Sequence, residues 1–151
     1  MSFTTGNGTR GARQPGGKVM LWLNKQMIKR VRKSGRASGF NALVLTTVGR
    51  KSGVERSTPV GWFPGSAGSL LIVASAAGAP KNPAWYYNLA AHPDKVRIET
   101  AGRTLAVTAE ELHGPERDEA WQQITASAPR FAQYQTKTDR EIPVIRLTPT
   151  R

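Results

Sequence analysis

A chain of 151 residues, with 38% hydrophobic residues and four tryptophans, is the length of one domain with its own core. Having no cysteine, it carries neither a disulfide framework nor a thiolate metal site. With 22 Lys and Arg against 10 Asp and Glu the formal charge is +12, and Glu55 is the only acid before residue 61. So lopsided a charge points to an acidic partner, whether nucleic acid, an anionic membrane surface or a polyanionic small molecule, beside the plain alternative of a solvated basic face.

Residues 1–17 are rich in Gly, Thr and Arg with almost nothing apolar and read as a flexible basic arm. Asn7-Gly8-Thr9 fits a glycosylation acceptor, but no apolar leader precedes it, and a cytoplasmic protein is expected. Over 18–33, Met20, Leu23, Met27, Ile28 and Val31 recur at helical spacing among Lys25, Lys29, Arg30, Arg32 and Lys33, which predicts an amphipathic basic helix. Such a helix packs on the body of the domain, or lies on anionic lipid with Trp22 at the interface, peripheral to the inner face of the cell membrane. From Leu43 to Val60 a strand enters the turn Gly49-Arg50-Lys51-Ser52-Gly53 and a second strand leaves it. Glycine permits positive φ there, so successive N–H groups can face one concavity, and Arg50, Lys51 and Ser52 add donors suited to phosphate. An ordinary solvated hairpin turn is the competing reading.

Ser69–Ser75 is an apolar run suited to a buried strand. Asn82 then caps a helix starting at Pro83, with Trp85, Tyr86 and Leu89 on one face, which ends at His92-Pro93-Asp94. Alternation over 95–100 and 103–111 around Ala101-Gly102 predicts a hairpin. A helix follows from Pro115 and stops at Pro129; Phe131 and Tyr134 sit on a short helix or turn, and Ile142–Leu147 closes the chain as a strand. His92 and His113 are expected in loops or at the surface rather than on a metal. Consecutive antiparallel strands with short helices between them give an α+β domain, over 40–151, built on a small barrel or bent sheet. There is no G-x-G-x-x-G between strand and helix, no Walker motif and no nucleophile elbow.

Thr46 to Gly53, then Arg56 and Pro59, then Lys81-Asn82-Pro83-Ala84-Trp85-Tyr86, then Tyr134-Gln135 with Thr138, Arg140, Ile142 and Pro143 resemble, in this order, the deazaflavin (coenzyme F420)-dependent nitroreductase and quinone reductase family. The resemblance runs from about Ala42 to Leu147 and implies the split β-barrel (FMN-binding split-barrel-like) fold with peripheral helices. It implies a polyanionic deazaflavin cofactor, whose phosphate would lie on Arg50, Lys51, Ser52 and Gly53 with Arg56 and Thr58 nearby. Pro59, Val60, Ala74, Ser75 and Ala76 would line the deazaflavin ring, and Lys81, Asn82 and Trp85 would complete the wall. An ordinary core aromatic is the alternative for Trp85.

The chemistry so implied is hydride transfer to a quinone or nitroaromatic acceptor, with Tyr134 as the proton or hydrogen-bond donor and Ser75 as an orienting hydroxyl. Packing beside Phe131 is the plain alternative for Tyr134. Ala76 stands where a nitroimidazole-activating relative has lysine, and Lys137 where that relative has an aromatic residue, which favours a menadione-like or lipid-soluble quinone. Two other readings stand behind this one. They are an FMN-using split-barrel oxidoreductase and a basic nucleic-acid-binding protein, the latter without a recognisable RNA-binding motif or zinc finger.

Overall fold

The computed structural model describes residues 3–11, 18–37 and 40–150. Helix α1 (Lys18–Ser34) leads into a short strand β1 (Arg36–Ala37), the long strand β2 (Phe40–Val48) and its antiparallel partner β3 (Glu55–Gly61). The strands β4 (Phe63–Pro64) and β5 (Leu70–Val73) come next, then helix α2 (Ala84–Ala91), the hairpin β6 (Val96–Thr100) and β7 (Arg103–Glu111), helices α3 (Gly114–Ser127) and α4 (Arg130–Lys137), and β8 (Val144–Pro149). All pairings are antiparallel, and the eight strands form one sheet in the order β1-β2-β6-β7-β8-β5-β4, with β3 added on β2. Because β3 has no ladder partner but β2 and the sheet curls until β3 nears β5, the barrel stays split at that seam.

Strand periodicity decides what each face buries. Leu43 and Leu45 of β2, Leu70 and Ile72 of β5, Ile98, Val107, Ala109, Ile145 and Leu147 point into the barrel, where Tyr86 and Leu89 of α2 join them. The intervening residues Leu71 and Val73, with Val144, face the opposite way, onto Ile124 of α3 and Phe131 of α4. Strand β5 is therefore apolar at every position because both its faces are covered, which is why its run shows no alternation. Ala42 and Val44 of β2 receive α1 through Val31, which is fully buried, with Met27 and Ile28 beside it. Each fully buried aliphatic of this kind contributes roughly 1.5–3 kcal/mol.

At the β6–β7 turn, Ala101 (φ 49) and Gly102 (φ 78) are both left-handed, the backbone of the two-residue turn whose twist suits a hairpin. The expected cap of α2 is different in the structure: Pro83 occupies the N-cap with no side-chain hydrogen bond, and Asn82 is buried and bonded elsewhere. Pro129 separates α3 from α4 and is itself the N-cap of α4. The closing strand starts two residues beyond the expected Ile142.

Phe3 to Gly11, part of the segment read as a flexible arm, lie along the body of the domain as a strap. Phe3 meets the Tyr86 ring edge-on with centroids 5.6 Å apart. The buried carboxylate of Glu111 accepts from the Thr4 amide at 3.2 Å, from the Thr5 hydroxyl and from the Tyr86 hydroxyl. Gly8 N–H donates to Pro80 C=O at 2.7 Å, and Asp139 accepts from the Thr9 and Arg10 amides at 2.8 and 2.9 Å. Those donors, the Thr9 hydroxyl first, draw the Asp139 carboxyl down to about 2. Polar contacts hold the strap where composition offers nothing apolar but Phe3. The rest of the expected arm, residues 1–2 and 12–17, lies outside the described residues.

Candidate cofactor cleft

The turn after β2 opens onto a cleft of about 580 Å³ lined by Thr47, Gly49, Arg50, Lys51, Ser52, Arg56, Thr58, Ala84, Trp85 and Asn88. Register explains the assembly. Thr47 pairs with Arg56 and Leu45 with Thr58, so Thr47, Arg56 and Thr58 share the barrel-side face of the β2–β3 hairpin, at the end where the turn lies. Helix α2 supplies the opposite wall, and Asn88 locks the two together: its Nδ2 donates to Thr47 Oγ1 at 3.1 Å, and its Oδ1 accepts from the Arg50 amide at 3.1 Å.

Within the turn Gly49 N–H donates to Val54 C=O at 2.8 Å and Gly53 N–H to Gly49 C=O at 2.9 Å. Gly53 has φ 71, and a Cβ on Gly49 would stand 2.5 Å from Ser52 Oγ. The expected run of amides facing one concavity is thus reduced, since Gly49, Arg50 and Gly53 spend theirs inside the protein. The amides of Lys51 and Ser52 have no partner among the described residues, and the exposed side chains of Arg50, Lys51, Ser52 and Arg56 surround them. Among the described residues no carboxylate lines the cleft. The nearby acid, Glu55, is engaged by Arg97 at 2.5 Å, which holds its carboxyl below the usual range. The donor set therefore fits an anionic group, phosphate above all.

Trp85 is half-buried: it packs against the barrel core and also lines the cleft. Arg50 stands with Cζ 4.8 Å above the Tyr87 ring. The other expected residues group elsewhere. Ala74, Ser75 and Ala76 follow β5 in a turn where Ala76 has φ 46, and the buried Arg140 grips that turn. Its guanidinium donates to the carbonyls of Ala74 at 3.0 Å, Ser75 at 2.6 Å and Ala79 at 2.9 Å, and to Asn82 Oδ1 at 2.8 Å. Burial pushes its pKa down, and the oxygens it bonds are all neutral. Asn82 is therefore buried against Arg140, whereas Lys81 is exposed beside it, and neither lines the cleft.

Pro59 and Val60 line a separate cavity of about 400 Å³ on the α1 side of the hairpin, with Met27, Phe40, Asn41, Gly61 and Arg130 among its walls. Tyr134 lies outside both cavities. Its ring meets Phe131 edge-on at 5.7 Å, and Lys137 Nζ stands 5.8 Å from the ring centre. Helix α4 nevertheless abuts the turn after β5, because a Cβ on Gly78 would sit 2.8 Å from Tyr134 C=O. Sequence reasoning missed Asn88 and the structural task of Arg140. Both act on partners tens of residues away, which no local pattern encodes.

A family model described as F420H(2)-dependent quinone reductase matches residues 22–149. The F420H(2)-dependent quinone reductase Rv1261c of Mycobacterium tuberculosis is 38% identical over 110 residues, covering 71% of this chain and 72% of the relative. A solved F420-H2 dependent reductase, FDR-A, superposes with a TM-score of 0.63 at 40% identity, over 70% of this chain and 92% of that one. Campylobacter jejuni ChuZ, at 16% identity and a TM-score of 0.55 over 91% of this chain and 55% of its own, shares the fold alone. The chain belongs to the F420H(2)-dependent quinone reductase family.

Proposed function

We propose that this protein is an oxidoreductase that uses reduced coenzyme F420 to reduce a quinone by two electrons. The observation that carries the reading is the carboxylate-free cleft in which Arg50, Lys51, Ser52, Arg56 and Thr58 converge beside an aromatic wall. When bound, reduced F420 supplies the hydride, and the quinone becomes a hydroquinone once a proton has joined it. Arg50, Lys51, Ser52 and Arg56, on the turn closed by the Gly53 N–H bond to Gly49 C=O, would neutralise and orient the phosphate, with Thr58 as a further hydroxyl. Trp85 would exclude water along one side. Ser75 and Ala76 would face the ring, on the turn that Arg140 holds through the Ala74 and Ser75 carbonyls, with Lys81 and Asn82 behind; Ala74 is buried in the barrel core, and Pro59 and Val60 stay with the separate cavity. The residues need only fix the approach, and no protein nucleophile is called for.

The proton donor in this reading is Tyr134, oriented with Ser75, and its support is family resemblance together with the contact of α4 on the Gly78 turn. Phenylalanine at 134 is expected to lower kcat about tenfold or more while leaving cofactor affinity within twofold. An unchanged kcat would hand the proton to Ser75 or to water.

Menadione-like quinones are favoured over nitroimidazoles because Ala76 and Lys137 replace residues of the nitroimidazole-activating relative. A membrane quinone as native acceptor is supported by α1. Its described face leaves Trp22 and Leu23 59% and 45% exposed, beside Lys25, Lys29, Arg30 and Arg32. No helix among the described residues is long and apolar enough to cross a membrane, and the contact proposed for α1 is a peripheral one. Sedimentation with vesicles containing anionic lipid is expected to fall at least fivefold in a Trp22→Ala/Leu23→Ala variant. Equal sedimentation of the two proteins would refute the membrane role.

A further inference from the structure

The strap and both parts of the cofactor wall meet at one oxygen. Asn7 Oδ1 accepts from the Tyr87 hydroxyl and from the Asn82 backbone N–H at 3.1 Å. Asn82 Nδ2 donates to Thr5 C=O at 3.1 Å and reaches the Tyr87 hydroxyl at 3.4 Å, while its Oδ1 accepts from Arg140. On one side of this joint lies the Tyr87 ring, the platform under Arg50 of the phosphate turn. On the other lies Arg140, which holds Ala74 and Ser75. A connected path thus runs Arg50, Tyr87, Asn7, Asn82, Arg140, Ser75, and its third member, Asn7, belongs to the strap.

The strap is also shaped to this seat. A Cβ on Gly8 would stand 2.3 Å from Asp139 Oδ1 and 2.9 Å from Arg140 N; on Gly11 it would stand 2.5 Å from both Gly78 O and Pro80 N. A side chain at Gly8 would lift the strap off the segment between α4 and β8, and one at Gly11 off the segment that joins β5 to α2. Asn7 is delivered by backbone lying flush on the wall, with Asp139 fixing the residues just after it.

We propose that Asn7 is a positioning residue of the cofactor site, joining the phosphate turn to the ring-facing segment; the inference rests on the F420 reading of the cleft. With its hydroxyl tied, Tyr87 holds one orientation and Arg50 has a fixed surface to lie on, so less side-chain freedom is lost when an anion binds. Tyr87→Phe keeps the ring and removes the tie, and Asn7→Ala removes the acceptor of that tie.

The test titrates the full-length protein, the two single variants and the double variant against oxidised F420 by its fluorescence, well below their unfolding temperatures. Steady-state turnover is measured alongside. Asn7→Ala is expected to weaken F420 binding about tenfold and to raise KM for reduced F420 similarly, with kcat within twofold. Tyr87→Phe should cost a comparable factor, and the double variant no more than the worse single one. If Asn7→Ala binds F420 as tightly as the unaltered chain, or if the two losses multiply, Asn7 is only a tether and the proposal falls. If the unaltered chain itself fails to bind F420, the reading of the cleft falls and takes this proposal with it.

Discussion

Replacing Arg140 by methionine is expected to destabilise the fold by about 3–5 kcal/mol. The guanidinium is 3% exposed and its donors serve four acceptors at once: the carbonyls of Ala74, Ser75 and Ala79, and Asn82 Oδ1. Methionine fills similar volume but removes the donor to Ala74 C=O, Ala79 C=O and Asn82 Oδ1, and leaves Ser75 C=O with the Gly78 amide alone. The turn at Ala76, whose left-handed backbone is costly for an alanine, would lose what holds it in place. Lysine should not rescue the variant, because a single ammonium on a flexible stem lacks the fork that reaches three carbonyls and an amide together. Urea unfolding of the two variants and the unaltered chain checks this. A loss below about 1 kcal/mol in either would show that water replaces the guanidinium without strain.

The second large effect falls on binding and not on stability. Lys51 and Arg56 are exposed and line the anion cleft, so Lys51→Ala/Arg56→Ala should change unfolding stability by no more than about 0.5 kcal/mol. Charge-assisted contacts are each worth about 1.5–3 kcal/mol, so the same pair of changes should weaken F420 binding by about 100-fold to about 10,000-fold. The unaltered chain should in turn lose affinity as salt rises, and the double variant should show a shallower salt dependence. Titration at two ionic strengths reads both. Affinity that is indifferent to salt and to the two substitutions would move the phosphate away from this turn.

Much of the fold was legible because its signals are local. The apolar stretch Leu70–Val73 is a strand buried on both faces, Ala101-Gly102 is a two-residue hairpin turn, and Lys18–Ser34 is a helix with Val31 on its buried stripe. The turn after β2 was legible as a glycine-bounded cluster of donors. That its amides are partly consumed was not, since Asn88 reaches the Arg50 amide from 38 residues away. Asn82 carried the signature of a helix cap, but burial beside Arg140 offered its side chain a stronger partner, and the helix begins without it. The strap was least legible. Thr, Asn and Gly in sequence read as disorder when their partners, Glu111 and Asp139, lie more than a hundred residues away. Tyr134 is a candidate by resemblance, and its immediate neighbours are Phe131 and Lys137.

The most direct test of the account is turnover. Purified protein, reduced F420 and menadione are mixed, and the return of oxidised deazaflavin absorbance is followed against a control without protein. The account predicts saturable turnover well above that control, with KM for reduced F420 rising as salt is added. Absence of turnover, together with no saturable binding of F420 and tight binding of FMN, would contradict it.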